Sequence, residues 1–155
     1  MFKKYLYIIL FIVAIIGLSY VQYQYFRIGL NLAGTQFNEN MGDAAKEIKK
    51  ELQAKNELTF LVGSAISRND LSFRLSLDSI QDASIYFMDE FLKDKLLEHG
   101  IKTGYGFSLY GKDSTAYLSS KDNFTNEDKL LRYPIILEGY LPDLLGKRLI
   151  LELQF

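Results

Sequence analysis

The stretch that decides the fold is FLKDKLLEHGIKTGYGFSLYG, residues 91–111, in which a helical pattern stops and a strand pattern begins. It contains His99, the only histidine of the chain, followed directly by Gly100. A glycine after the last helical turn adopts the left-handed cap conformation, and a polar or cationic side chain suits the negative end of the helix dipole. We therefore expect His99 and Gly100 to form a helix C-cap.

The sequence offers little support for a catalytic or metal-binding role of His99. The chain has no second histidine and no cysteine with which to share a metal ion, and no G-x-S-x-G elbow. Two alternatives stay open: that His99 senses pH or a ligand, and that it joins a Ser-His-Asp triad assembled only in the fold. We expect no catalytic residues, no metal site and no cofactor.

A helix is predicted before this boundary and strands after it. The helix covers residues 79–98 and has a wide apolar face, as expected for a helix lying on a sheet. This face has two rows, Ile80, Ser84, Phe87 and Phe91, and Ile85, Met88, Leu92 and Leu96. Residues 105–111 and 115–120 form a predicted hairpin, followed by strands over 133–140 and 148–155. Pro134 has no N–H for a ladder, so it must start a strand or lie on a sheet edge.

Three further segments are less regular. Residues 71–77 alternate apolar and polar side chains, which predicts a short strand, whereas the apolar run 58–66 does not distinguish a helix from a strand. Residues 141–147, LPDLLGK, read as a turn.

The first part of the chain is predicted to anchor it in a membrane. Residues 5–26 carry no charge and are long enough for a helix that crosses the hydrocarbon core, which needs about 20 residues. Lys3 and Lys4 precede this segment and only Arg27 follows it closely, so the positive-inside rule leaves residues 1–4 in the cytoplasm and residues beyond 27 outside. A cleaved signal peptide and a buried core helix are the alternatives, but large aromatic residues occupy the place of a cleavage site.

Residues 27–55 are predicted to continue as a juxtamembrane helix. An apolar stripe at helical spacing runs along it, formed by Phe37, Met41, Ala44, Ile48 and Leu52. The stripe has two candidate roles: it packs on its own domain, or it forms the seam of a homodimer by pairing with the same helix of a second chain. Both roles together are the third alternative, because a stripe of this length does not discriminate between them.

Charge and composition exclude some functions. All 19 acidic residues follow Arg27, whereas three of the 18 lysine and arginine residues lie at or before it, so the part beyond the membrane is net acidic. A basic nucleic-acid footprint is therefore absent. The expected partners are membrane lipid, a second copy of the chain and an unidentified extracytoplasmic small ligand or protein.

The order of these features resembles the N-terminal input region of a group of bacterial two-component sensor histidine kinases. In those proteins a first membrane helix runs into a helix with a Q-F-x-x-N pattern and a later alanine, matched here by Gln36, Phe37, Asn40 and Ala44. A helix ending L-x-x-x-G-I then leads into Y-x-F-x-L-Y, matched by Leu96, Gly100, Ile101, Tyr105, Phe107, Leu109 and Tyr110. The last strand, LILELQF at 149–155, is similar to the one that leads into the second membrane helix.

The resemblance implies an α+β, PAS-like sensor domain over residues 56–155, with a mostly antiparallel sheet of four to five strands. This domain is expected to lie outside the inner (cytoplasmic) membrane and to end before a second membrane helix. The kinase activity of such proteins belongs to later domains, and these 155 residues contain no phosphoacceptor H-box and no ATP-binding motif. The expected function is therefore signal sensing rather than catalysis. A stand-alone anchored structural or pilin-like subunit is the alternative, although the sequence lacks a processing site and an early glutamate in the apolar helix.

Overall fold

The computed structural model describes residues 2–67, 77–112, 115–120 and 131–155, which form an α+β chain. Its helices are α1 (Phe2–Gln53), α2 (Glu57–Ser67), α3 (Leu77–Glu98) and α4 (Tyr140–Leu145). Its strands are β1 (Gly106–Gly111), β2 (Ala116–Ser119), β3 (Arg132–Ile136) and β4 (Leu149–Gln154). The chain divides into two compact units, Met1–Glu39 and Asn40–Phe155.

The first unit consists of the long part of α1, and it contains the candidate membrane span. The mean hydropathy of this helix reaches 2.1 over its most apolar window, and that window is not buried within the protein. Large apolar side chains are exposed along its length, from Tyr5 to Leu32. Exposed apolar surface of this extent is unusual for a protein in water, so length and composition make the helix a candidate span.

The four strands of the second unit form an antiparallel sheet in the order β2-β1-β4-β3. Alternation along β4 buries Leu149, Leu151 and Leu153, as the period of a strand with one covered face requires. β3 is an edge strand, which agrees with the prediction from Pro134. The predicted α+β class and antiparallel sheet are confirmed, with four strands among the described residues.

The helices cover one face of this sheet. Met88, Leu92 and Leu96 of α3 are buried, as is Val62 of α2. They share the core with Phe107 and Leu109 of β1 and with the buried side chains of β4. The predicted row that contains Phe87 and Phe91 differs, because Phe87 is 49% exposed and Phe91 is half-buried, although Ser84 of the same row is buried. Only part of the apolar face of α3 therefore packs against the core, and the part with Phe87 stays exposed.

The predicted dimer seam needs correction. Met41, Ala44 and Ile48 are 0% exposed and Leu52 is 1% exposed within a single chain, and only Phe37 is half-buried. Residues that flank this stripe bond to the chain's own elements: Lys49 forms a 2.8 Å ion pair with Glu138, just after β3. The four side chains belong to the core of the unit, so they are not free to pair with a second copy.

Two local predictions also differ from the structure. The segment 141–147 is a turn by its sequence, but Tyr140–Leu145 forms α4, which ends at Gly146 in the left-handed conformation (φ 61°). Helix α3 begins at Leu77, two residues before the predicted start. The predicted strand over 71–77 lies outside the described residues, apart from Leu77.

Candidate functional site

The C-terminus of α3 ends in a Schellman motif. The N–H of Ile101 donates to the carbonyl of Leu96 (2.8 Å) and the N–H of Gly100 donates to that of Leu97 (2.9 Å), with Gly100 at φ 75°. These are the two bonds that define the motif, and the buried side chains of Ile101 and Leu96 supply its apolar contact. His99 and Gly100 therefore occupy the last positions of the helix end, and the chain turns from there towards β1.

His99 also takes part in a polar cluster that the sequence did not reveal. Its Nε2 lies 2.8 Å from Oε2 of Glu47 on α1, and Lys95 Nζ donates to Oε1 of the same carboxylate at 2.8 Å. Lys95 further bonds Glu98 at 3.0 Å and lies 3.9 Å from Glu51. Lys95 and His99 are four residues apart and share one helix face, so both can reach a single carboxylate. Glu47 thus joins α1 to the end of α3.

The contacts in this cluster favour the charged forms of Glu47 and Lys95. Hydrogen bonds from Lys95 and then from His99 lower the pKa of Glu47, and hydrogen bonds to Glu47 and Glu98 raise the pKa of Lys95. The side chain of Lys95 is only 15% exposed, so solvent screens its pairs less than it screens an ordinary surface ion pair. The cluster therefore links α1 to α3 through charged side chains.

We expect Glu47→Gln to lower the melting temperature at neutral pH and to lower it less in acid. Because the pKa of Glu47 is lowered on folding, its charged form stabilises the fold above the ordinary pKa of 4.5, and this contribution is lost as the pH falls through the lowered value. Melting curves of parent and variant over an acidic to neutral range check this. Glu39→Gln, an exposed residue on the same helix, is the control. A melting difference that stays constant down to strong acid would contradict the assignment.

Tyr105 fixes the other side of the turn. Its hydroxyl donates to Asp89 on α3, lying 2.7 Å from the backbone carbonyl and 2.9 Å from Oδ1. Burial, with help from the Asp89 hydrogen bond, raises the pKa of Tyr105, so the hydroxyl stays protonated and keeps donating at physiological pH. The start of β1 is therefore held against the middle of α3.

Helix α2 is positioned by a reciprocal cap. The N–H of Thr59 donates to Oδ1 of Asn56 at 2.8 Å, and the N–H of Asn56 donates to Oγ1 of Thr59 at 2.9 Å. This is the bonding of a capping box, with asparagine at the N-cap and threonine three residues later. The Ser84 hydroxyl of α3 donates to the carbonyl of Ile80 in its own helix at 2.7 Å and also lies 3.3 Å from the carbonyl oxygen of Leu61 on α2.

A groove of about 410 Å³ lies between α2 and α3. Apolar side chains from both helices form its walls, namely Leu58, Leu61, Phe87 and Phe91. Carboxylates surround them, namely Glu57, Glu90 and Asp94. The size and the apolar walls with a few polar groups are typical of small-ligand sites. The groove includes Phe87 and Phe91, which the core leaves partly exposed, and it is a candidate ligand site among the described residues.

Three basic residues near the apolar segment were predicted to set the membrane topology. The side chains of Lys3 and Lys4 lie outside the described residues, and Arg27 is an exposed residue of α1. Among the described ranges, no group of three histidine, cysteine or acidic side chains has the arrangement for a metal ion.

The groove and the Glu47 cluster were not predicted, because each needs residues that are far apart in the sequence. The only signals were the width of the apolar face of α3 and the spacing of Lys95 and His99.

Comparison with known proteins adds no relative: no family model, no curated protein and no solved structure matches the chain.

Proposed function

We propose that the chain is the extracytoplasmic input module of a membrane-bound two-component sensor histidine kinase, with a PAS-like sensor domain over residues 56–155. A charge-free apolar helix near the N-terminus and an α+β unit with a four-stranded antiparallel sheet support this proposal. Residues 5–26 cross the inner membrane with the N-terminus inside, and the α+β unit faces outward. The module passes a ligand-dependent change to a kinase part and has no catalytic activity of its own.

The single observation that carries the proposal is the direction of two elements within the unit Asn40–Phe155. Tyr133 pairs with Leu153 and lies beside Gly42, whereas Gln53 and Lys49 contact Glu138 at the other end of β3. The part of α1 in this unit therefore runs parallel to β3 and antiparallel to β4. The start of this part and the end of β4 lie on the same side of the unit. An input module needs that arrangement, because the connection through α1 and the connection that follows β4 must both lead to the same membrane.

The internal contacts suggest how a ligand would act. The groove lies on α3, and α3 is joined to α1 through Lys95, His99 and Glu47. A ligand that alters the position of α3 would alter α1 through this cluster. It must bind two arrangements with different affinity, since equal affinity shifts no equilibrium. We propose that the module works as a homodimer, with an interface other than the buried part of the α1 stripe.

A chimeric kinase tests the function. Residues 1–155 replace the input region of a sensor histidine kinase whose output is read from a reporter gene. We expect a stable basal output, and we expect Glu47→Gln to shift it at unchanged protein level because this variant loosens α1 from α3. Glu39→Gln should leave the output at the parent level. Identical output from parent, Glu47→Gln and a chimera that lacks residues 56–155 would contradict a sensing role.

A further inference from the structure

The groove between α2 and α3 has a chemical character that indicates a class of ligand. Its walls are aliphatic and aromatic, and all three charged residues that line it, Glu57, Glu90 and Asp94, are acidic. None of these carboxylates has an ion-pair partner within 4 Å among the described residues, whereas Glu47 and Glu138 elsewhere on the unit are paired. The groove thus combines apolar contact surface with unneutralised negative charge.

From this combination we infer that the groove binds an organic cation with an apolar or aromatic body. This inference rests on the proposed sensing function and names the ligand class of that site. The apolar body fills the space between Leu58, Leu61, Phe87 and Phe91, and the cationic group lies among the carboxylates. Phenylalanine faces also attract cations, so the aromatic walls favour a positive charge as well as apolar surface. An anionic ligand of the same shape would be repelled by three carboxylates.

The exposure of Phe87 indicates that the groove is open to a ligand and is not part of the hydrophobic core. Phe87 is 49% exposed, and its ring forms an edge-to-face pair with that of Tyr86, itself 62% exposed, with ring centroids 5.5 Å apart. Burial of the Phe87 ring under a ligand in the groove removes apolar surface from water and favours binding. A volume of about 410 Å³ fits a small organic molecule, and not a folded partner.

Tryptamine is a suitable probe, because the chain contains no tryptophan and the indole can be excited where tyrosine does not absorb. The full chain in nanodiscs of zwitterionic lipid is titrated and the anisotropy of the probe is measured, with empty nanodiscs as the blank. Indole-3-acetate, the anionic counterpart, and neutral indole are compared. We expect saturable binding of tryptamine, weaker binding of indole and no binding of indole-3-acetate.

A double variant tests the location of the site. Glu90→Gln with Asp94→Asn removes two charges from the groove, and Glu39→Gln with Asp143→Asn removes two exposed charges elsewhere. We expect the groove variant to bind tryptamine about fivefold more weakly, from the size of exposed charge pairs, and the control to bind like the parent. Phe87→Ala should weaken tryptamine and indole alike. Absence of saturable tryptamine binding, equal binding of the anion, or equal effects of the two double variants would overturn the inference.

These outcomes are separate from the test of function. The titration contains no signalling step, so a responsive chimera without tryptamine binding would overturn the ligand class and keep the sensing role. Conversely, the titration could show tryptamine binding while the chimera gives no output and does not respond to Glu47→Gln. That result would contradict the sensing role and keep the ligand class.

Discussion

Replacing Ile48 with aspartate is expected to abolish cooperative unfolding of the unit Asn40–Phe155. Ile48 is 0% exposed within a single chain, on the face that α1 turns to its own core. The variant loses the packing of a large aliphatic side chain and places a carboxylate where no water reaches. Together these changes cost about 4 kcal/mol or more, comparable to the whole stability of a small domain.

Limited proteolysis and near-ultraviolet circular dichroism of the full chain in nanodiscs measure this effect. Asn38→Asp introduces the same charge at an exposed position of the same helix and should change neither signal. The experiment also decides between the two roles of the stripe. A variant that stays folded and protease-resistant but loses its association with a second copy would restore the dimer seam and contradict the core assignment.

Gly139→Ala is expected to destabilise the same unit by about 3 kcal/mol, from backbone strain and the accompanying steric contact. Gly139 precedes α4 with φ 82° and ψ −139°, a region that side-chain-bearing residues rarely adopt. A Cβ atom there would lie 2.7 Å from the backbone carbonyl oxygen of Gln53 and 3.2 Å from its Cα. Backbone atoms at the end of α1 cannot move aside as a flexible side chain can.

Gly146→Ala is the matched control for this substitution. Gly146 also has a positive φ, 61°, but a Cβ atom added there would meet no atom within 4 Å among the described residues. The strain of a left-handed backbone alone should lower the free energy of unfolding of Gly146→Ala by about 1 kcal/mol. Denaturant unfolding of both variants measures the difference. Equal destabilisation would show that the close approach of Gly139 to Gln53 contributes nothing.

Some parts of the fold were predictable because their signals are local. Gly100 marks the helix end by itself, since a left-handed cap needs only the residue after the last turn. Pro134 indicated an edge position because it has no N–H for a second neighbour, and β3 lies at the edge of the sheet. The alternation of β4 separates its two faces, because one-sided burial of a strand has a period of two.

Other parts were not predictable, because their signals are short or spatial. The run 58–66 is apolar throughout, so its period does not separate a helix from a strand, and the reciprocal Asn56–Thr59 cap was the missed indication of α2. Helix α4 has only six residues and resembles a turn in sequence. The Glu47 cluster joins residues about 50 positions apart, which no sequence pattern encodes.

The stripe of α1 shows the limit of periodicity most clearly. Met41, Ala44, Ile48 and Leu52 have the spacing of one helix face, which suits a partner helix and a sheet equally well. Only the burial of these side chains within one chain assigns them to the core. The same holds for the groove, since the row of Phe87 and Phe91 has the pattern of a core face and only its exposure distinguishes it.

The proposed function requires that residues 5–26 cross the membrane and that the unit Asn40–Phe155 lies outside it. The chain has no cysteine, so Thr103→Cys, an exposed residue between α3 and β1, gives a single labelling site. Intact cells are treated with a membrane-impermeant maleimide, and Lys4→Cys serves as the inside control. We predict that Thr103→Cys is labelled before lysis and Lys4→Cys only after it. Labelling of Thr103→Cys only after lysis would contradict the claim.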